Sequence, residues 1–275
     1  MNPLHYEYLS TFLLGSSGLA LGDGKEYLLE SRLVPLAQSW GLDGIPEMVA
    51  VLRKGDDHRL SSAVTEAMTT NETSFFRDKK PFTALETEVL PKLLDSRRAG
   101  RSLRIWCAAA ATGQEPYSLA MMLDEKFPEL DSWNVEILAT DISEQILEKA
   151  RAGIYTQFEV QRGLPVQLLM RYFKQVENGW KVKDNLGRRI QWQQTNLLDS
   201  FDSFGPFDIV LCRNVLIYFQ NETKADILDR IRKVIRPDGF LFMGAAETVL
   251  GITESFERLQ SSRSSIYVPG VKVLV

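Results

Sequence analysis

From residue 103 onward the chain alternates short apolar runs with amphipathic stretches of helical spacing, and this alternation narrows the fold more than any other property of the sequence. Strands are expected at 103–109, 135–140, 207–213 and 239–245, and helices at 115–126, 143–152 and 221–235. Strands joined through helices pair in parallel with right-handed crossovers, and such a sheet opens its ligand crevice at the carboxyl ends of its strands. A site is therefore sought just after each strand. Between 154 and 195 the alternation breaks: a helix is expected near 160–171, then short strands at 174–177, 180–183 and 189–194, with Glu177-Asn178-Gly179 and Asp184-Asn185-Leu186-Gly187 as turns. The expectation is an α/β domain over 103–275 with a small antiparallel β insertion near 172–195.

The first 68 residues have a different rhythm. Tyr6, Leu9, Phe12 and Leu13, then Leu28, Leu29, Leu33 and Leu36, then Ile45, Met48, Val49 and Leu52 fall near helical spacing and are separated by glycine-containing turns. A small all-helical domain is expected over 1–68, followed by a linker and connecting helix over 69–102. Within that linker the polar segment 69–77 breaks the periodicity, Asp78 is placed to cap a helix running to about Leu94, and the basic run from Asp95 to Ser102 reads as a solvated connector.

Composition closes several function classes. A chain of 275 residues with 44% hydrophobic and 25% charged residues can bury a real core, and no apolar stretch approaches the roughly 18 residues that span a bilayer. The first residues lack a basic stretch followed by an apolar one, so a cytoplasmic protein without membrane insertion is expected. Cys107 and Cys212 sit in apolar strand-like runs, as buried reduced thiols do, and with only two histidines no metal is expected. A net charge of −4 gives no global attraction to nucleic acid; Arg97, Arg98, Arg101 and Arg104 form the only dense basic cluster and read as part of the linker.

The first strand runs through four alanines, 108–111, into Thr112-Gly113-Gln114-Glu115-Pro116, with Pro116 a fitting first helical residue. Small residues let a ligand lie against the backbone. The loop lacks the G-x-G-x-x-G pattern, however, and Glu115 stands where a pyrophosphate would want an uncrowded positive dipole. A carboxylate there repels phosphate and welcomes an ammonium; it serves equally as a first-turn acid complementing the helix dipole. The second strand ends in Asp141, where such folds hold ribose hydroxyls, although a loop acid or cap reads the same way. Together the two acids point away from NAD and toward S-adenosylmethionine, which carries an ammonium and a free ribose diol. After the strand candidate at 189–194, Asn196 and Leu197 can grip an adenine edge and face, and the third strand exits at Arg213-Asn214 toward Tyr218.

Five blocks then make a specific resemblance. Thr70 to Asp78 (TNETSFFRD), Trp106 to Ser118, Ala139 to Ser143 (ATDIS), Asn196-Leu197-Leu198 and Cys212 to Phe219 (CRNVLIYF) resemble, in order, the signature blocks of the bacterial chemotaxis receptor methyltransferases, the CheR family, and the likeness continues to Gly244-Ala245-Ala246-Glu247-Thr248. The resemblance implies an S-adenosylmethionine-dependent protein-glutamate O-methyltransferase: a Rossmann-like α/β methyltransferase domain with a β insertion, behind a helical domain. It implies that Asn71, Thr73, Arg77, Glu115, Asp141, Asn196, Leu197, Arg213 and Asn214 contact the cofactor, with Arg77 and Tyr218 nearest the transferred methyl. The partners it implies are the cytoplasmic domains of methyl-accepting chemotaxis receptors, and the product is S-adenosylhomocysteine. Because a glutamate with a pKa of about 4.3 is already ionised at neutral pH, no general base is needed, and none of these blocks offers a His or Lys for the task.

Two departures stand out. The family's receptor-docking helix is often strongly basic, whereas Lys25 to Arg32 carries two positive and two negative charges. The hairpin region 174–194 lacks the glycine-rich extension of members that tether to a receptor's C-terminal pentapeptide, which argues against tethering. Rival functions are methylation of a small molecule or RNA, for which a basic face is missing, and a cofactor-sensing module without turnover, which should have lost a matching position.

Overall fold

The chain enters its first helix through a side-chain cap: Asn2 accepts from the Leu4 amide and Pro3 occupies the first turn, so α1 (Pro3–Ser17) starts at once and stops at Gly18, whose φ is 74°. Helices α2 (Glu26–Ser39), α3 (Ile45–Lys54) and α4 (His58–Met68) follow. Leu9, Leu13, Leu29, Leu33, Met48 and Val64 are fully buried among them and form the core of this unit. Asp57 caps α4 by accepting from the amides of Arg59 and Leu60. At the other end of α4 the Arg32 guanidinium donates to the carbonyls of Met68 at 2.7 Å and Thr69 at 2.8 Å, satisfying acceptors that a helix end leaves open. This computed structural model describes residues 1–22, 24–260 and 264–270. Its contacts divide it into two units, Met1–Thr70 with Tyr218–Thr223, and Asn71–Ile217 with Lys224–Val275.

The second unit opens with α5 (Lys80–Ala84), a π-helical stretch Leu85–Val89 and α6 (Leu90–Arg97). The expected helix beginning at Asp78 is displaced: Phe76, Asp78 and Lys79 have φ of 49°, 68° and 49°, and the Asp78 carboxylate, instead of capping, accepts from Arg213 at 2.8 Å. The basic connector is also corrected. Helix α6 runs to Arg97, whose Nε donates to buried Asp208 at 2.7 Å and whose Nη2 donates to Asp238 at 2.6 Å. Arg104 pairs with Glu136 at 2.9 Å. Arg97 and Arg104 of the cluster are thus held in ion pairs, while Arg98 and Arg101 are exposed.

The chain then builds β1 (Ser102–Ala108), α7 (Gln114–Lys126), β2 (Asn134–Asp141), α8 (Glu144–Ala152), β3 (Ile154–Tyr155), α9 (Gln157–Gln161), α10 (Val166–Tyr172), β4 (Phe173–Val176), β5 (Gly179–Val182), α11 (Asp184–Gly187), β6 (Ile190–Gln194), β7 (Phe207–Cys212), α12 (Asn221–Val234), β8 (Ile235–Met243), β9 (Phe256–Arg258) and β10 (Ile266–Pro269). Seven strands form one sheet in the order β6-β2-β1-β7-β8-β10-β9. The first five run parallel, while β10 and β9 are antiparallel additions at one edge. Register sets Ala108 beside both Thr140 and Cys212, so the carboxyl ends of β1, β2 and β7 finish level. Leu103, Ile105 and Cys107 share one core with Ile137, Ala139, Ile209 and Leu211, as a period of two requires. Trp106, on the opposite face of β1, packs at 4.9 Å against Phe201 and donates to Thr140 Oγ1 at 2.9 Å. Burial of both faces is why these strands read as near-continuous apolar runs.

Three features differ from expectation between 154 and 195. The helix near 160–171 is two helices, because Gly163 and Pro165 interrupt it; Gly163 has a φ of 87°, and a Cβ there would lie 2.1 Å from the Phe75 carbonyl oxygen. The small antiparallel sheet is β3-β5-β4 and begins at Ile154. The last expected strand of the insertion, β6, instead extends the main sheet, pairing parallel to β2 with Ile190 opposite Ile137.

Candidate active site

The order of the strands reverses beside β1, whose chain continues to β2 on one side while β7 lies on the other, and this switch point is where an open α/β sheet forms its crevice. The loop leaving β1 alternates in handedness: Ala109, Ala111 and Gly113 have φ of 56°, 48° and 93°. Left-handed alanines cost about 1 to 2 kcal/mol each, so surrounding bonds must hold them. Ala110 N donates to the Thr140 carbonyl at 2.8 Å, and Ala111 N to Asp141 Oδ2 at 2.9 Å. From below, the Tyr155 hydroxyl donates to the Thr112 carbonyl at 2.7 Å. A Cβ on Gly113 would lie 2.9 Å from the Trp192 ring, so only glycine fits between the loop and its aromatic support. Burial pushes the Tyr117 phenol up to about 12 and that of Tyr155 well above its usual range, keeping both as proton donors.

Asp141 ends β2 and is 6% exposed. Besides Ala111 N, its carboxylate takes the Ser143 amide at 3.1 Å, while the Ser143 side chain caps α8. The acid therefore fastens two loops. Its own carbonyl accepts from Thr195 N at 2.9 Å, bringing the exit of β6 alongside. There Leu197 is buried, and Asn196 Oδ1 accepts from Leu198 N at 3.0 Å.

Arg213 follows β7 with a side chain only 1% exposed. Its Nη1 pairs with the Glu115 carboxylate in the first turn of α7, and its Nη2 donates to Asp78 at 2.8 Å and to the Arg77 carbonyl at 3.0 Å. Its Nε has no partner among the described residues. One guanidinium thus ties the helix after β1 to the left-handed turn at 76–79. That turn is anchored by buried Phe75, stacked edge-on against Tyr155 at 5.0 Å, and by Phe76 N donating to Ser118 Oγ at 2.9 Å. The Arg77 side chain itself donates to the Glu72 carbonyl at 2.9 Å. Asn71 and Thr73 are half-buried on the same segment. The Glu72 carboxyl is held below its ordinary range, first by its hydrogen bond from Arg162 and then by the charges of Arg162 and Arg77.

Asn214 takes a left-handed φ of 59°, and its amide donates to buried Glu247 at 2.7 Å. Tyr218 groups by its contacts with the helical unit, where its carbonyl accepts from Ala20 N at 3.0 Å. The structure therefore gathers Glu115, Arg213 and the Arg77 backbone at one strand exit, and Asp141, Asn196 and Leu197 at the neighbouring one. Asp78, Tyr155 and Glu247 complete these contacts without having been singled out as site residues. Glu247 lies just past the last parallel strand, so the strand-exit rule would have found it; the backbone turn that aims Asp78 leaves no mark in residue order.

A cofactor with ammonium, carboxylate and ribose diol fits these groups: the crevice presents the carboxylates of Glu115 and Asp141 and a buried guanidinium with a spare donor. An open parallel sheet with that site defines the class of S-adenosylmethionine-binding methyltransferases. Residues 71–265 match the family described as the CheR methyltransferase SAM binding domain, and residues 4–69 match its all-alpha domain. A chemotaxis protein methyltransferase of Vibrio parahaemolyticus is 40% identical over 266 residues, 95% of each chain. Chemotaxis protein methyltransferase 1 of Pseudomonas aeruginosa is 42% identical over 267 residues, 95% of this chain and 96% of that one. A chemotaxis protein methyltransferase of Salmonella typhimurium is 34% identical over 261 residues, 93% of this chain and 88% of that one. The chain belongs to the CheR methyltransferase family. Among the described residues no helix is long and apolar enough to cross a membrane, and no group of three or more His, Cys, Asp or Glu could hold a metal ion.

Proposed function

We propose that the protein transfers a methyl group from S-adenosylmethionine to glutamate side chains in the cytoplasmic domains of chemotaxis receptors, giving γ-methyl esters for sensory adaptation. The observation that carries this assignment is the match of both parts of the chain, in order, to the two parts of the family, with relatives that share nearly its whole length. When bound, S-adenosylmethionine supplies the methyl group and leaves as S-adenosylhomocysteine. Glu115 receives the methionyl ammonium, Asp141 the ribose hydroxyls, and Asn196 with Leu197 the adenine. Asn71, Thr73, Arg213 and Asn214 complete the cofactor contacts, with Arg213 facing the methionyl carboxylate. Arg77 and Tyr218 orient the receptor carboxylate, which is ionised at neutral pH and needs only to be held in line.

The charge of α2 contributes little to docking. Arg32 is committed to the end of α4, Lys25 rests over the Tyr27 ring at 5.9 Å, and the helix itself carries Glu26 and Glu30. Pentapeptide tethering forms no part of the proposal, since β4 and β5 are joined by a tight turn with Val176 opposite Gly179. The arginines that made an RNA substrate conceivable include two, Arg97 and Arg104, now paired with acids. Incubation with methyl-tritiated S-adenosylmethionine and receptor-containing membranes should label the receptor band, and mild base should release the label as methanol. Label that resists base, or that enters RNA or small molecules instead, overturns the proposal.

A further inference from the structure

Glu247 is 7% exposed, and among the described residues no basic side chain forms an ion pair with it. Its carboxylate is met by backbone amides. Oε2 accepts from Asn214 N at 2.7 Å and Gly244 N at 2.6 Å, and Oε1 accepts from Val215 N at 3.0 Å and Ile217 N at 3.3 Å. Burying a carboxylate is costly unless hydrogen bonds replace its water, and here the replacement comes from the turn that leaves β7. That turn cannot close its own amides, because Asn214 is left-handed and only a single three-residue 3₁₀ turn, Leu216–Tyr218, follows. Gly244 is pressed against the same group: a Cβ there would lie 2.6 Å from Glu247 Oε2 and 2.8 Å from Asn214 Nδ2. The charge also reaches the strand, for Glu247 is among the causes that hold the Cys212 thiol well above its usual range, after burial.

We infer that Glu247 is a positioning residue for methyl transfer: its carboxylate is the template on which residues 214–217 fold, and it thereby fixes Arg213 and Asn214 at the end of β7. The inference rests on the cofactor assignments proposed above. Glu247→Gln keeps the reach of the side chain but removes the charge and turns an amide donor toward donors. Three readouts on the full chain test it: amide hydrogen exchange, titration with S-adenosylhomocysteine, and single-turnover methyl transfer to receptor membranes. Exchange at Asn214, Val215, Ile217 and Gly244 should accelerate while β1 and β2 stay protected. The affinity for S-adenosylhomocysteine should fall by about tenfold, the loss expected when groups meeting a charged ligand are no longer held. A purely structural role would loosen the amides and lower the melting temperature but leave affinity and transfer rate per folded molecule at wild-type values; that result overturns the inference. Gly244→Ala presses the same turn with the carboxylate intact and should pair fast exchange with weakened binding. Where E247Q does not fold, G244A decides alone, and wild-type affinity in it overturns the inference. A wild-type chain that does not bind S-adenosylhomocysteine overturns the proposed function as well, whereas normal wild-type binding with an unaffected E247Q removes only the role of Glu247.

Discussion

Asp141 does two things with one carboxylate. Its position at a strand end is legible in the sequence; its bonds to the Ala111 and Ser143 amides are not, because they depend on a left-handed alanine that composition does not announce. Asp141→Ala should therefore weaken S-adenosylhomocysteine binding and also lower stability, by about 1 to 3 kcal/mol for amides left unsatisfied. Calorimetric titration and urea unfolding on the same protein separate the two, and undiminished stability would show that the loop does not depend on the acid. The cysteines were legible too: both lie in apolar strands and both are buried with free thiols. Burial raises Cys107 and Cys212 well above their ordinary value of 9.0, so the neutral thiols persist in the native state. Stability from their burial is fully present below pH 9 and is lost as pH rises beyond it through the folded-state values. A disulfide reagent at pH 8 should find neither thiol until denaturant is added; prompt reaction of one in the native protein would place it outside the core.

At the level of elements, strands of the parallel sheet were readable as short apolar runs and their helices by a period held over enough residues. In the small sheet β4 and β5 were readable, whereas β3 was not, since it has two residues and carries no period, and the sheet that β6 joins was not, since its alternation suits an edge of either sheet. Their assignment depends on long-range pairing. The consequence is functional, because β3 carries Tyr155, whose hydroxyl holds the Thr112 carbonyl of the crevice loop. Tyr155→Phe should keep the ring packing against Phe75 and Phe173 while leaving that carbonyl without its donor. The loss is about 1 kcal/mol, read as a several-fold drop in S-adenosylhomocysteine affinity with a small change in melting temperature. Equal affinity in the variant would detach the small sheet from the crevice.

For the molecule as a whole, the division into a helical part and an α/β part was visible as a change of rhythm, whereas the ion-pair network at the amino ends of β1 and β7 was hidden in what looked like a loop. Asp208, 1% exposed in its side chain, accepts from Arg97 and from the Arg104 amide at 2.8 Å, and Arg97 reaches on to Asp238. Hydrogen bonding from Arg97, partly opposed by burial, holds the Asp238 carboxyl below its ordinary 3.8. A depressed carboxyl contributes stability that is present above its unfolded value and lost as pH falls through the folded one. Wild type should therefore exceed Asp238→Asn in urea midpoint at neutral pH, with the gap closing below about pH 4. A gap that stays constant down to pH 3 would mean that the pair contributes nothing through its charge.

The helical unit is not one stretch of chain. It takes Met1–Thr70 and also Tyr218–Thr223, where the Tyr218 carbonyl meets the Ala20 amide. Recombination between relatives at the apparent border near residue 70 would separate six residues from the body they fold with, although they stand nearly 150 positions downstream. Chimaeras that exchange the first 70 residues alone mismatch an inherited pair of surfaces, while those that carry Tyr218–Thr223 along keep it whole. In evolutionary terms the two parts of this enzyme are co-inherited, and variation in the first should be answered by variation in a segment that lies inside the second.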